Sequence, residues 1–263
     1  MAGNIVVSQI NGGSIGVINA IINGNFQVNQ RAVSGTVTLA AGVYGHDRWK
    51  AGASGCTYTF ATANNITTLT ISAGSLIQVI EGNNLFTGTY TLSWVGTAQG
   101  KIGGGSYDSS GVTGTPAGGS NLNIEFNTGT LSLVQFEPGS VATPFERRPF
   151  GTELMLCQRY LPAFRPTSTE PLGIGFCPNT TLIDVIVNFQ VPARVPTTGI
   201  TTSAANTFAQ LMFADAITAV VFLTGGATAT TVRFTTTGVV GAQANGVRST
   251  GSSTFILFTG CEL

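Results

Sequence analysis

Charge is what this chain has least of. Only 8% of its 263 residues are Asp, Glu, Lys or Arg, against roughly 25% in ordinary globular proteins. The basic and acidic residues, 11 of each, cancel to a formal net charge of zero. A neutral surface has no long-range attraction for phosphate backbones or anionic lipid, so nucleic acid is not an expected partner. Solubility has to come from Thr, Ser, Asn, Gln and the backbone exposed at 35 glycines. A chain this poor in charge associates readily, and a homo-oligomer is expected.

Histidine is nearly missing as well. His46 is the only one, which leaves a Ser-His-Asp or Cys-His centre a single possible base. It stands in the string His46-Asp47-Arg48-Trp49, where Trp49 reads as a core anchor and Asp47 and Arg48 as a local pair, so a structural or exposed histidine is expected. Cys56, Cys157, Cys177 and Cys261 are scattered, without a C-x-x-C pair or a nearby histidine, which indicates neither a zinc site nor a redox dithiol. Buried free thiols are the expectation, with no metal and no cofactor. Glycoside hydrolysis needs two carboxylates about 5 to 10 Å apart, and Glu81, Asp108, Glu125, Glu137 and a few others are a thin supply. No catalytic residue is assigned; glycan cleavage stays as the enzymatic alternative.

Long apolar runs are absent too. No stretch approaches the roughly 20 residues that span a bilayer, so membrane insertion is not expected. Met1 to Asn11 has no basic start, and the run Ile15 to Ile22 is broken by Gly16 and Asn19, which is unlike a secretory leader. Ile15, Ile18 and Ile22 recur at helical spacing, enough for a short docking arm or for a tail packed on the next domain.

What the chain does have is alternation. Leu69 and Ile71 alternate with Thr68, Thr70 and Ser72; Tyr90, Leu92 and Trp94 with Thr89, Thr91 and Ser93; Leu122, Ile124 and Phe126 with Asn121, Asn123 and Glu125. These read as half-buried strands in an antiparallel sandwich. Further on, Ile183, Val185, Val187, Phe189 and Val191 form the cleanest alternating run, bounded by Pro192 and Pro196. Strands are also expected near 208–213, 216–223, 230–236 and 254–259.

Between the two β-rich halves lies the segment 132–161, which gathers Glu137, Glu146, Arg147, Arg148, Glu153 and Arg159 out of so small a charge supply. Pro138 and Gly139 turn the chain, and Pro144 and Pro149 hold it extended. A short helix is expected next, with Thr152 as its N-cap, Glu153 and Arg159 matched to the two ends of its dipole, and Leu154, Cys157, Tyr160 and Leu161 as its apolar stripe. Glu137, Glu146, Arg147, Arg148 and Glu153 are read as ion pairs that lock the junction, because Arg forks pair bidentately with carboxylates.

The string Q-F-E-P-G-S-V-A-T-P-F-E-R-R-P-F-G-T-E-L-M-L-C-Q-R-Y-L in this segment resembles one common in tail fibres and related receptor-binding or structural proteins of tailed bacteriophages. I-N-G-N-F-Q-V-N-Q-R at 22–31 with H-D-R-W at 46–49 is similar to the start of the jelly-roll module that precedes this junction there, and I-E-G-N-N-L-F-T-G-T-Y-T-L-S-W-V at 80–95 to its central strand pair. The resemblance covers roughly residues 22–161; the last hundred or so residues are alike only in general style.

It implies an all-β chain: a docking arm over 1–30, a jelly-roll domain over 31–149 and, after a short helix, a second small β-sandwich over 150–263. It further implies a homotrimer in a virion tail, made in the host cytoplasm, whose arm contacts other tail or baseplate proteins and whose distal domain meets a host polysaccharide or protein receptor. Candidate glycan contacts are Tyr107 and Asp108, on the glycine-rich loop 102–120, and Asn206 and Phe208, on the distal domain. The loop's other reading is a flexible or interface-filling connection. A baseplate or capsid decoration protein without receptor contact is the structural alternative.

Overall fold

The computed structural model describes residues 19–212 and 215–263. The expected helical repeat of Ile15 and Ile18, and most of the expected docking arm, lie outside the described residues. Those described form an all-β fold of two sandwiches joined by one short α-helix.

The first sandwich comprises β1 (Val37–Leu39), β2 (Trp49–Ala63), β3 (Ile66–Ile80), β4 (Tyr90–Val95), β5 (Gly100–Ile102), β6 (Val112–Gly114), β7 (Leu122–Phe126) and β8 (Gly129–Pro138). Asn64 and Asn65 both take positive φ between β2 and β3, the geometry of the tight turns whose twist suits a hairpin. One half of β3 pairs with β8 and the other with β7. Strand β8 runs on to pair with β4, so the chain passes from one layer to the other. The alternation carries the burial: Leu69 and Ile71 are buried while Thr70 and Ser72 are exposed. Trp94 of β4 meets Phe126 of β7 edge-on at 5.1 Å, an arrangement aromatic quadrupoles favour.

Residues 19–30, expected to belong to the arm, are instead built into this sandwich. Ile21, Phe26 and Val28 are fully buried. The Ala20 N–H donates to the Phe136 carbonyl at 2.8 Å and the Val134 N–H to the Gly24 carbonyl at 2.9 Å, so the segment supplies partners to β8. The approach is so close that a Cβ on Gly24 would lie 2.2 Å from the Val134 oxygen. Gln78 completes the seam, its amide bonding both the N–H and the carbonyl of Ile22 at 2.8 and 2.7 Å. Apolar burial explains why these residues do not project: Ile21 and Phe26 belong to the same core as Trp49 and Phe136.

The helix α1 spans Phe150–Gln158. It begins after Pro149, three residues earlier than a Thr152 cap requires, and no side chain caps it. Proline sits well at a helix start because its missing N–H is unpaired there anyway. Glu153 lies in the first turn and Arg159 at the C-cap. Cys157, Tyr160 and half-buried Leu154 close over Ile22 and Val28.

The second sandwich comprises β9 (Ala163–Phe164), β10 (Pro171–Asn179), β11 (Leu182–Asn188), β12 (Gly199–Thr202), β13 (Phe208–Gln210), β14 (Ala219–Gly225), β15 (Ala229–Thr235), β16 (Ala244–Ser249) and β17 (Ile256–Thr259). A six-stranded sheet, β13-β16-β10-β11-β15-β14, covers a three-stranded one, β12-β17-β9. Ile183, Val185, Val187, Phe234 and Phe258 fill the space between. Strands β10 and β16 carry Gly, Pro and Asn, which usually mark turns. In β10, Gly175 allows the backbones to meet, since a Cβ there would lie 2.0 Å from the Asp184 carbonyl oxygen.

The two sandwiches also touch through residues 261–263. Arg31 pairs with Glu262 at 2.5 Å, Lys50 and Tyr44 both donate to the Leu263 carbonyl, and Arg194 donates to the Cys261 and Glu262 carbonyls at 2.8 and 3.0 Å.

Candidate functional site

The charge-rich junction is a clamp on residues 19–23. Arg148, 5% exposed at its side chain, pairs with Glu146 and Glu153 at 3.3 Å each. It also donates to the carbonyls of Ile21, at 3.0 Å, and Asn19. The two carboxylates accept from the same segment, Glu146 from the Asn19 N–H at 2.8 Å and Glu153 from the Asn23 N–H. Glu137, expected to join these pairs, instead accepts from the Thr143 N–H and hydroxyl and from Gln135. Arg147 is exposed, with no ion pair among the described residues. Sequence proximity brought three of the five together; the alternate direction of adjacent side chains on extended backbone turned Arg147 away from Arg148.

The His-Asp-Arg-Trp string is buried throughout. His46 Nδ1 lies 2.9 Å from the Tyr58 hydroxyl, and burial lowers its pKa to about 4. Asp47 and Arg48 do not pair. Asp47 accepts the Gln30 backbone N–H and side-chain amide at 2.6 and 2.7 Å. Arg48 sits 3.5 Å over the Tyr160 ring. Glu262, desolvated despite Arg31, has its pKa pushed up to about 7. All four cysteines are free and buried; burial alone raises the Cys56 thiol to about 11.

The four proposed glycan contacts do not converge. Phe208 is wholly buried in the second core, where its apolar ring stacks obliquely near Phe234 at 5.5 Å, so it contacts no ligand. Asn206 is exposed on a single turn beside it. Tyr107 and Asp108 lie on the other sandwich, on a loop that is less free than its glycines suggest. Asp108 exchanges two 2.9 Å backbone bonds with Gly100, and β6 within the loop pairs with β4. The Tyr107 ring lies under Lys101 at 4.6 Å, and Lys101 pairs with Glu125 at 2.9 Å. Burial pushes the Glu125 carboxyl up, but bonds from Ser75, Lys101 and Tyr107 outweigh it and hold the group below its usual value.

A large cavity lies elsewhere, between α1, residues 27–32 and the second sandwich, with a volume of about 1080 Å³. Its lining includes Gln27, Gln158, Asn188 and Gln190, four amides that form no hydrogen bond within the described residues. Phe150 and Met155, 53% and 49% exposed, stand beside Phe189 and Phe164. Sequence reading missed this cleft because its walls come from chain positions more than 150 residues apart. The usable signal was Phe150 and Met155, large apolar residues off the buried stripe of α1.

A second unanticipated surface is the outer face of the six-stranded sheet. Phe176, Asp184, Arg233 and Val221 are register neighbours across β10, β11, β15 and β14. Ile174 and Ile186 flank them at 72% and 58% exposure. Asp184 and Arg233 form a two-bond fork at 2.7 Å.

Among the described residues no cluster of three or more His, Cys, Asp or Glu is arranged to hold a metal ion, and no helix is long and apolar enough to cross a membrane. Comparison with protein families, curated proteins and solved structures finds no match.

Proposed function

We propose that the chain is a structural protein of a bacteriophage virion, a short tail fibre or receptor-binding fibre that adheres to host-surface glycan without cleaving it. The observation that carries this reading is the interdomain cleft, a large cavity walled by unspent amides, the exposed ring of Phe150 and the half-buried rings of Phe164 and Phe189 on two stapled β-sandwiches. Sugars are bound in this way, by rings against their C–H faces and amides on their hydroxyls, at sites that rigid scaffolds hold in place. The tail-fibre resemblance of residues 22–161 supports the same reading, and its junction string coincides with the clamp around Arg148.

Copies associate as a homotrimer, and the exposed row around Ile174, Phe176 and Ile186 supplies apolar area for contact between chains or with neighbouring tail proteins. Linked copies turn weak sugar contacts into avid attachment. Adhesion rather than hydrolysis is supported by the carboxylates: Glu170 alone lines the cleft, and glycosidases use a pair. A baseplate or decoration protein is the second reading, favoured by that same apolar row.

The test is binding of fluorescently labelled protein to candidate bacterial cells, with competition against phage adsorption. Saturable binding that blocks adsorption supports the fibre. Absence of both favours decoration, and release of reducing ends from host polysaccharide establishes a depolymerase.

A further inference from the structure

The charge inventory of the cleft narrows its ligand. Only Arg165 and Glu170 among the lining residues are charged, and each is already engaged. Arg165 Nε donates to the Gln30 carbonyl at 2.6 Å, and its guanidinium lies 4.7 Å over the Phe255 ring. Glu170 accepts the Thr167 N–H and hydroxyl at 2.9 and 3.1 Å. Their charges sum to zero, so a sialylated, sulfated or phosphorylated ligand would give up water for a site with no surplus opposite charge.

The remaining polar groups suit a neutral partner. Each amide presents two N–H donors beside a carbonyl acceptor, and a sugar hydroxyl is both donor and acceptor. Gln27 approaches from the first sandwich, Gln158 from α1, and Asn188 and Gln190 from the end of β11, so a ligand would be gripped from three sides. The rings of Phe150 and Phe189 offer apolar faces for C–H surfaces. A volume of about 1080 Å³ lies just above the ~300–1,000 Å³ range of small-molecule sites, which suits several linked sugar units.

Resting on the adhesion reading above, we propose that this cleft binds an uncharged oligosaccharide, held by Gln27, Gln158, Asn188 and Gln190 and stacked on Phe150 and Phe189. Its binding is then nearly independent of salt, because no ion pair is made or broken.

The test uses the intact protein on an array of defined oligosaccharides. Neutral members carry glucose, mannose, galactose or N-acetylglucosamine; acidic members carry sialic acid or sulfate. The expected result is binding confined to neutral members, changing less than about two-fold between low and high salt. Gln190→Ala and Gln158→Ala should each weaken it by about 2- to 10-fold, the usual worth of a hydrogen bond, with the melting temperature unchanged. Phe150→Ala should weaken it comparably.

Salt-sensitive binding of acidic members overturns the inference but leaves adhesion standing. Neutral binding that survives all three substitutions overturns the assignment to the cleft. Attachment to cells with no array member bound, and abolished by protease treatment of the cells, overturns it in favour of a protein receptor. Failure to attach to any candidate cell overturns the adhesion reading itself.

Discussion

Replacing Arg148 with Ala removes the guanidinium on which residues 19–23, the connector and α1 converge. Two backbone carbonyls, of Asn19 and Ile21, lose their donor, at about 1 kcal/mol each. The larger loss is electrostatic. The Glu153 side chain is 7% exposed, and breaking a buried pair by deleting one partner costs about 3–5 kcal/mol because a charge stays buried alone. The Asn23 N–H still bonds that carboxylate, and Glu146 can hydrate, being 24% exposed. We therefore expect a loss of about 4 kcal/mol, a large share of the ~5–15 kcal/mol that typically holds a domain folded.

The assay follows from where the tryptophans lie. Trp49 and Trp94, the chain's 2 Trp residues, are both in the first sandwich. Their emission during guanidinium unfolding thus reports that half, while far-UV circular dichroism reports both. Arg148→Ala should lower the emission midpoint by the larger amount and separate it from the circular dichroism transition. Arg148→Met combined with Glu153→Met should cost less than Arg148→Ala alone, since no unpaired charge remains. Coincident transitions with a loss under about 1 kcal/mol, or a double substitution as costly as the two singles summed, would refute the clamp.

Three further outcomes are expected. His46 has its folded pKa near 4, below the ordinary 6.5, so the unfolded chain takes the proton first and stability falls as pH drops from 6.5 to 4, by about 3 kcal/mol; His46→Gln should lose most of that slope in chemical denaturation at stepped pH. Glu262 runs the other way: with a folded pKa near 7, its contribution is complete below pH 4.5 and lost by about 3 kcal/mol as pH rises to 7, and Glu262→Gln should be flatter across that window. Ile186→Lys, on the exposed outer face, should leave the circular dichroism spectrum intact and shift light-scattering mass toward the single chain; an unchanged oligomer would place the contact elsewhere.

Legibility tracked how local each determinant was. Period-two patterning in β3, β4, β7 and β11 named the layers because a side chain's face follows from its place in the strand. The helix at the junction was visible from Leu154, Cys157 and Tyr160, yet its start was misplaced: Thr152 is a good cap, but Pro149 had already ended the extended chain. Strands β10 and β16 were hidden by glycines that serve close backbone contact rather than turns. Phe208 failed as a site because an aromatic at a strand start looks the same whether it faces a ligand or a core. The cleft depends on where Gln27 and Gln190 end up in space, and no local pattern carries that information.

The seam between residues 19–24 and β8 governs how the protein is made. Its bonds join positions as much as 117 residues apart, so residues 19–24 wait for partners synthesised much later. At about 5–20 residues per second the delay is on the order of ten seconds. Throughout it Ile21 and Val28 stay uncovered, open to apolar segments of other nascent chains. Such long-separation closure is slow, so yield in a heterologous host should rise with slower elongation at low temperature and with chaperones that shield apolar segments.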